Sequence, residues 1–121
     1  MDARLTIGLL LSGALMLLPR AGDAHAFLDH ADPKVGSSVR SSPAAVTLTF
    51  TEGVEPAFSK IEVTDGNGNA VAVGPLEHPE ETSLRVSVPA LTPGTYRVKW
   101  RVVSVDTHET EGSFTFSIGP S

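Results

Sequence analysis

Alternation of apolar and polar side chains is the feature of this sequence that most restricts its fold. In the segment Tyr96–Val102, every second residue is apolar and the residues between them are basic. Successive side chains of a strand point to opposite faces of a sheet, so such a segment predicts a strand with one buried face. The other segments with this pattern are Val46–Thr51, Lys60–Thr64, Leu84–Val88 and Ser113–Ile118.

Turn-forming residues separate the predicted strands. The sequence DGNGN, residues Asp65–Asn69, predicts a hairpin turn between Lys60–Thr64 and a short strand at Val71–Val73. The sequence TPG, residues Thr92–Gly94, predicts a turn before the longest strand. Because no ten-residue segment after the N-terminal region has a convincing helical pattern, we expect an all-β fold, a Greek-key β-sandwich or barrel.

The first residues predict a secretory signal rather than a part of the fold. Leu5–Leu18 is an almost unbroken apolar run, preceded by Arg4 and followed by small residues ending at Ala24. The run is shorter than the roughly 20 residues that a transmembrane helix needs, so a permanent anchor is the weaker interpretation. We expect a cleaved signal, one β domain after it, and no stable membrane insertion after cleavage.

The position of cleavage decides which residue begins the mature chain. Cleavage after Ala24 leaves His25 as the N-terminus, whereas cleavage after Ala26 leaves Phe27. The Ala24-His25-Ala26 sequence is the better match to the small-x-small pattern of signal cleavage, so the local sequence slightly favours the second position. Both positions stay open at this point.

Charge and sulfur content exclude several kinds of function. The net charge is −5, and removal of residues 1–24 leaves it unchanged because that segment has two basic and two acidic residues. An acidic domain without a basic run is a poor candidate for nucleic-acid binding. There is no cysteine, and both methionines, Met1 and Met16, lie in the predicted signal. The exported domain therefore has neither a disulfide nor a sulfur ligand for a soft metal.

Asp106 and His108 stand two residues apart, just past the apolar part of the longest predicted strand. If the strand continues through them, both side chains point to one face, with Thr107 on the other. By themselves they are most simply two solvated side chains, because a metal site needs three or four convergent donors. The isolated histidines His30 and His78 are interpreted as surface residues.

His25 would complete such a site if it is the N-terminal residue. Its α-amine and imidazole would form a chelate, to which His108 adds a third nitrogen and Asp106 an oxygen. This set of nitrogen and oxygen donors suits Cu(II), whereas Cu(I) prefers thiolate and thioether ligands. Glu52, at the end of the VTLTF strand, is a candidate for an acid that lies near the ligands and orients them.

The sequence after residue 24 resembles the CopC-type copper-resistance proteins, a family of small periplasmic copper binders. The resemblance extends in order over HAFLDHADPKVGSSV, VTLTFTEGVEPAFSKIEVTD and LTPGTYRVKWRVVSVDTHETEGSFTF. It implies a Greek-key fold of about seven strands, cupredoxin-like or immunoglobulin-like. It also implies a Cu(II) site made by the amine and imidazole of His25 with Asp106 and His108, and an acid near the copper at Glu52.

The resemblance further implies cleavage after Ala24, and therefore a signal over residues 1–24 and one β domain over residues 25–121. It also implies a membrane copper-transport partner of the CopD type. Some members have a second, methionine-rich Cu(I) site, which we do not expect here because no methionine follows Met16. We therefore predict a periplasmic protein that carries or buffers copper, with one Cu(II) per chain, and that is not an enzyme.

Two other classes of function remain as alternatives. In an immunoglobulin-like structural or adhesion module, Asp106 and His108 would be incidental, and a chain that starts at Phe27 or takes up no metal would favour this class. An N-terminal histidine chelate also occurs in copper enzymes that cleave polysaccharides oxidatively. Against that class, the domain is small and its sequence suggests no platform of exposed aromatic side chains for a polymer.

Overall fold

The computed structural model describes residues 26–120, so the predicted signal and His25 lie outside the described residues. This part of the chain forms seven strands and one 3-10 turn at Pro56–Phe58. None of its elements is a helix long and apolar enough to cross a membrane. The predicted all-β fold is confirmed. The strands are β1 (Leu28–Asp32), β2 (Ser38–Val39), β3 (Ala45–Phe50), β4 (Lys60–Thr64), β5 (Ser83–Ser87), β6 (Gly94–Val103) and β7 (Glu109–Ile118).

The strands form two sheets that face each other across one core. The three-stranded sheet has the order β1-β3-β5 and the four-stranded sheet the order β2-β7-β6-β4. All pairs are antiparallel except β2 with β7, which is parallel. Because the chain passes from one sheet to the other after each of the strands β1 to β5, the arrangement is the expected Greek-key sandwich.

Alternation along each long strand places the apolar side chains between the sheets. On β6, Tyr96, Val98 and Val102 are buried, while the basic residues between them are exposed. Phe50 of β3 meets Trp100 of β6 edge-on, with ring centroids 5.3 Å apart, and so joins the two sheets. Other members of the buried core are Val46, Leu48, Ile61, Val63, Leu84, Val86, Phe114, Phe116 and Ile118.

The predicted strand at Val71–Val73 is wrong. Ala70 forms an isolated bridge with Thr64, as expected for the hairpin turn, but no ladder continues from it. The N–H of Gly74 already donates to the carbonyl oxygen of Ser87 at 2.9 Å, at the end of β5. The chain therefore leaves the edge of β4 for the edge of the other sheet before a second strand can pair.

Candidate metal centre

Three segments meet at one end of the sandwich: residues 26–27 before β1, residues 51–59 after β3, and the turn 104–108 between β6 and β7. The N–H of Val105 donates to the carbonyl oxygen of Gly53 at 3.0 Å. The approach is close, because a Cβ atom at Gly53 would lie 3.2 Å from Cγ1 of Val105. The turn is thus packed directly against the loop that follows β3.

The turn 104–108 differs from the sequence prediction. Strand β6 ends before it and β7 begins after it, so Asp106 and His108 do not lie on a continuous strand, and the expectation that they share a strand face is wrong. The reason is local: Thr107 has a left-handed backbone with φ of 73°. The N–H of Ser104 donates to the carbonyl oxygen of His108 at 2.9 Å and closes the turn.

The turn nevertheless brings Asp106 and His108 together. Nδ1 of His108 lies 3.4 Å from Oδ1 of Asp106, and the two side chains are 50% and 44% exposed, respectively. The hydroxyl of Ser104 donates to the same oxygen of Asp106. This hydrogen bond is the main reason why the pKa of Asp106 lies below its ordinary value, and His108 lowers it further. At neutral pH the pair is an ionised carboxylate beside an imidazole.

The N-terminal segment is attached beside this pair. Ala26 is fully buried, and its carbonyl oxygen accepts a hydrogen bond from Oγ1 of Thr110 at 2.7 Å. The N–H of Phe27 donates to Oγ1 of Thr51 at 3.0 Å, and the N–H of Thr51 donates back to the carbonyl oxygen of Phe27 at 2.8 Å. Since Thr110 follows His108 by two positions, the start of the described chain lies next to the turn.

Glu52 is exposed in the loop after β3. In the sequence it stands between Thr51, which is hydrogen-bonded to Phe27 of the N-terminal segment, and Gly53, which is hydrogen-bonded to Val105 of the turn. Its backbone therefore lies between the two parts of the predicted site, and a role of its carboxylate near a metal stays a prediction.

The described residues supply two of the four predicted donors. Between residues 26 and 120, no three histidine, aspartate or glutamate side chains are close enough together to hold a metal ion. Asp106 and His108 provide one carboxylate oxygen and one imidazole nitrogen, donor types that Cu(II) accepts. The predicted amine and second imidazole belong to His25, outside the described residues, so the pair needs donors from that segment to become a metal site.

The other two histidines of the described chain have separate partners. His30 on β1 is exposed, with Nδ1 2.8 Å from Oδ2 of Asp29. His78 is exposed, as expected, but its Nε2 lies 3.1 Å from the carbonyl oxygen of Glu81, which also accepts the N–H of Val54. His78 is thus tied to the loop at the end of the sandwich where Asp106 and His108 lie.

Sequence reasoning missed two hydroxyl side chains at this end, Ser104 and Thr110. A signal for both was present in the alternation. Ser104 occupies the inward position that follows Val102 on β6, and Thr110 occupies the inward position that precedes Gly112 and Phe114 on β7. A hydroxyl at an inward position of an apolar alternation predicts a hydrogen bond inside the protein, because an unpaired buried hydroxyl is destabilising.

Comparison with known proteins gives consistent matches. The profile of the CopC domain matches residues 28–119. The Escherichia coli K12 protein YobA is 42% identical in an alignment of 98 residues that covers 78% of this chain and 79% of YobA. The Bacillus subtilis copper transport protein CutJ is 34% identical over 111 residues, which cover 87% of this chain and 20% of CutJ. The crystal structure of CopC from Methylosinus trichosporium OB3b is 38% identical with a TM-score of 0.73, covering 79% of this chain and 95% of that one.

Proposed function

Because this chain belongs to the CopC domain family, we propose that it binds one Cu(II) ion at the end of the sandwich that holds Asp106 and His108. The other donors are the α-amine and the imidazole of His25. Three nitrogens and one oxygen form a tetragonal set, and Cu(II) heads the affinity order of divalent first-row ions. The proposal includes export to the periplasm and cleavage after Ala24, since only then does His25 carry a free amine.

The observation that carries the proposal is the attachment of Ala26 to β7. Oγ1 of Thr110 donates to the carbonyl oxygen of Ala26 at 2.7 Å, two positions after His108. The preceding residue is one peptide unit away, about 3.8 Å between Cα atoms. Donors that stand more than 80 positions apart in the sequence would therefore meet at one corner of the fold.

Glu52 has an indirect part in this proposal. Its neighbours Thr51 and Gly53 form hydrogen bonds to the N-terminal segment and to the turn, so the backbone of Glu52 lies between the two halves of the proposed site. Acids beside a metal site commonly orient ligands or attract the cation without being required for binding.

We propose a carrier or buffer role rather than catalysis. Asp106 and His108 are about half exposed, so an ion held there could pass to another protein without unfolding of the domain. Of the four exposed large hydrophobic side chains between residues 26 and 120, Phe27, Phe58 and Val105 belong to the segments that meet at this end. An apolar surface around a metal site suits transient docking of a partner.

The proposed partner is a membrane copper-transport protein of the CopD type. The region of CutJ that this chain matches makes up 20% of a protein named as a copper transporter. A related domain thus occurs there joined to a much longer polypeptide. In the proposal, the present chain instead works with a copper-transport protein that is a separate polypeptide.

An EPR-monitored Cu(II) titration of the exported, processed protein tests the proposal, with the N-terminus identified by mass spectrometry. One equivalent should be taken up with a tetragonal, nitrogen-rich spectrum. The matched control is the same protein with its α-amine acetylated, which keeps every side chain and removes one donor. No stoichiometric uptake, or a spectrum that acetylation does not change, would contradict the proposed ligand set.

A further inference from the structure

Ser104 is a polar residue in the core at the end of β6. Between residues 26 and 120, the buried polar side chains are Ser83 and Ser104, and Ser104 is 0% exposed. A buried hydroxyl needs hydrogen-bond partners, because an unsatisfied one destabilises the fold. The hydrogen-bond partners of the Ser104 hydroxyl are atoms of Asp106 and His108, the two proposed ligand residues in the described part of the chain.

The hydroxyl of Ser104 connects Asp106 to His108. It donates to Oδ1 of Asp106 and accepts the backbone N–H of His108 at 3.3 Å. Its oxygen also lies 3.3 Å from the carbonyl oxygen of His108. A single atom of the core thus holds the carboxylate of one ligand residue and the backbone of the other.

This contact restricts side chains that would otherwise be mobile. Asp106 and His108 are about half exposed, and exposed side chains ordinarily occupy several rotamers. A donor fixed in the core favours the Asp106 rotamer that keeps Oδ1 on Ser104. Order that exists before the ion arrives reduces the entropy lost on binding.

We propose that Ser104 is a positioning residue of the metal site, whose buried hydroxyl holds the Asp106 carboxylate and the His108 backbone in the arrangement that binds the ion. This inference rests on the Cu(II) site proposed above. The backbone of Ser104 closes the turn independently: its N–H donates to His108 at 2.9 Å, and its carbonyl oxygen accepts from Thr107 at 2.8 Å. Replacement of the hydroxyl should therefore keep the turn and loosen the ligands.

The test compares Ser104→Ala with Ser83→Ala. The two variants are matched, because Oγ of Ser83 is also buried and accepts a backbone N–H, that of Glu80 at 3.1 Å, but touches neither ligand residue. Cu(II) affinity is measured by competition with a chelator of known affinity. Ser104→Ala should bind Cu(II) about 10- to 100-fold more weakly, whereas Ser83→Ala should keep the affinity of the unmodified protein.

Two further variants separate the possible outcomes. Ser104→Thr keeps the hydroxyl and should recover most of the affinity, so an equal loss in Ser104→Thr and Ser104→Ala would overturn the role of the hydroxyl. Unchanged affinity in Ser104→Ala, with a large loss in His108→Ala, would overturn the positioning role and leave the copper site intact. Unchanged affinity in His108→Ala would overturn the copper site, and this inference with it.

A measurement on the metal-free protein is independent of copper, and its part on the unmodified protein is also independent of how Ser104→Ala folds. NMR three-bond couplings between Hα and Hβ of Asp106 report its rotamers. The unmodified protein should show one dominant rotamer, and Ser104→Ala should show averaged couplings. Averaged couplings in the unmodified protein would overturn the inference.

Discussion

Asp106 is a carboxylate whose pKa is governed by a hydrogen bond rather than by burial. The Ser104 hydroxyl is the largest cause of the lowered pKa, and His108 acts in the same direction. The folded state favours the ionised carboxylate of Asp106. The stability that folding gains from the lowered pKa is therefore fully present above the ordinary pKa of 3.8. It is lost as the pH falls through the lower pKa of the folded state. Asp106 therefore stays ionised throughout the range in which copper would bind.

We predict that Cu(II) affinity falls as the pH is lowered from about 8 to about 5. The ion must displace a proton from the α-amine, whose ordinary pKa is near 8. Competition titrations at several pH values measure this dependence. Asp106→Asn should bind more weakly by the same factor at every pH, and a flat profile in the unmodified protein would exclude the amine as a ligand.

We predict that His108→Ala weakens Cu(II) binding far more than His30→Ala or His78→Ala, because His108 is the proposed ligand among these three histidines. His30→Ala is the matched control, since His30 is also an exposed histidine beside an aspartate, Asp29. Glu52→Gln should have an intermediate effect, about 10- to 100-fold at most. Chelator competition measures all four variants, and equal losses at the three histidines would refute the site assignment.

At the scale of elements, strand β7 joins the core to the end of the sandwich that holds Asp106 and His108. Its first inward residue, Thr110, bonds Ala26, and its later inward residues fill the core. One strand thus determines both the position of the N-terminal segment and the position of the turn that precedes it.

We predict that Thr110→Val lowers Cu(II) affinity by releasing the N-terminal segment from β7. Valine has nearly the shape of threonine but cannot donate to the carbonyl oxygen of Ala26, so the free energy of unfolding should fall by about 1 kcal/mol. Thr115→Val, also at a half-buried position of β7, is the control for stability and affinity. If Thr110→Val binds copper as tightly as the control, the hydrogen bond to Ala26 does not position the ligand.

Gly112 allows the ring of Trp100 to lie across β7. A Cβ atom at Gly112 would be 2.6 Å from Cζ2 of Trp100, whose ring is also in edge contact with Phe50. We predict that Gly112→Ala lowers the free energy of unfolding by about 1–3 kcal/mol through overpacking. Urea unfolding measures this loss of stability. Gly119→Ala is the control, because the atom nearest to a Cβ at Gly119, Oγ of Ser38, is 3.8 Å away. Equal stability of both variants would show that the ring moves aside freely.

At the scale of the whole molecule, the proposed site depends on folding to assemble it. His25 and His108 are more than 80 positions apart, so the unfolded chain does not hold the full donor set. A ligand that binds the folded state better than the unfolded state stabilises the protein by mass action.

We predict that free Cu(II) at 100 times its Kd raises the free energy of unfolding by up to about 2.7 kcal/mol. Residual binding by the N-terminal chelate in the unfolded chain would reduce this gain. Urea unfolding with and without Cu(II), followed by the fluorescence of the single tryptophan, Trp100, measures the gain in stability. His108→Ala should gain much less, and an equal gain in both proteins would indicate binding elsewhere.

The strands could be predicted because their signal is local. The alternating segments of β3, β4 and β6 appear in the structure within a few residues of their predicted bounds, and β7 extends further toward the turn. The prediction at Val71–Val73 failed because pairing needs a partner edge, and the chain had already crossed to Ser87 of the other sheet. The strand predicted through Asp106 failed because the left-handed backbone at Thr107 is not visible in an apolar alternation.

The sequence by itself determined which face of each strand is buried, the lack of sulfur ligands after Met16, and the presence of a carboxylate and an imidazole two residues apart. Periodicity is a pattern among a few neighbouring residues and composition is a count, so both can be read directly from the sequence. Only the tertiary structure decided that Ser104 lies under Asp106 and that Thr110 holds Ala26. The Thr110–Ala26 hydrogen bond spans 84 positions, and such a contact depends on sheet order and strand register, which local patterns do not specify.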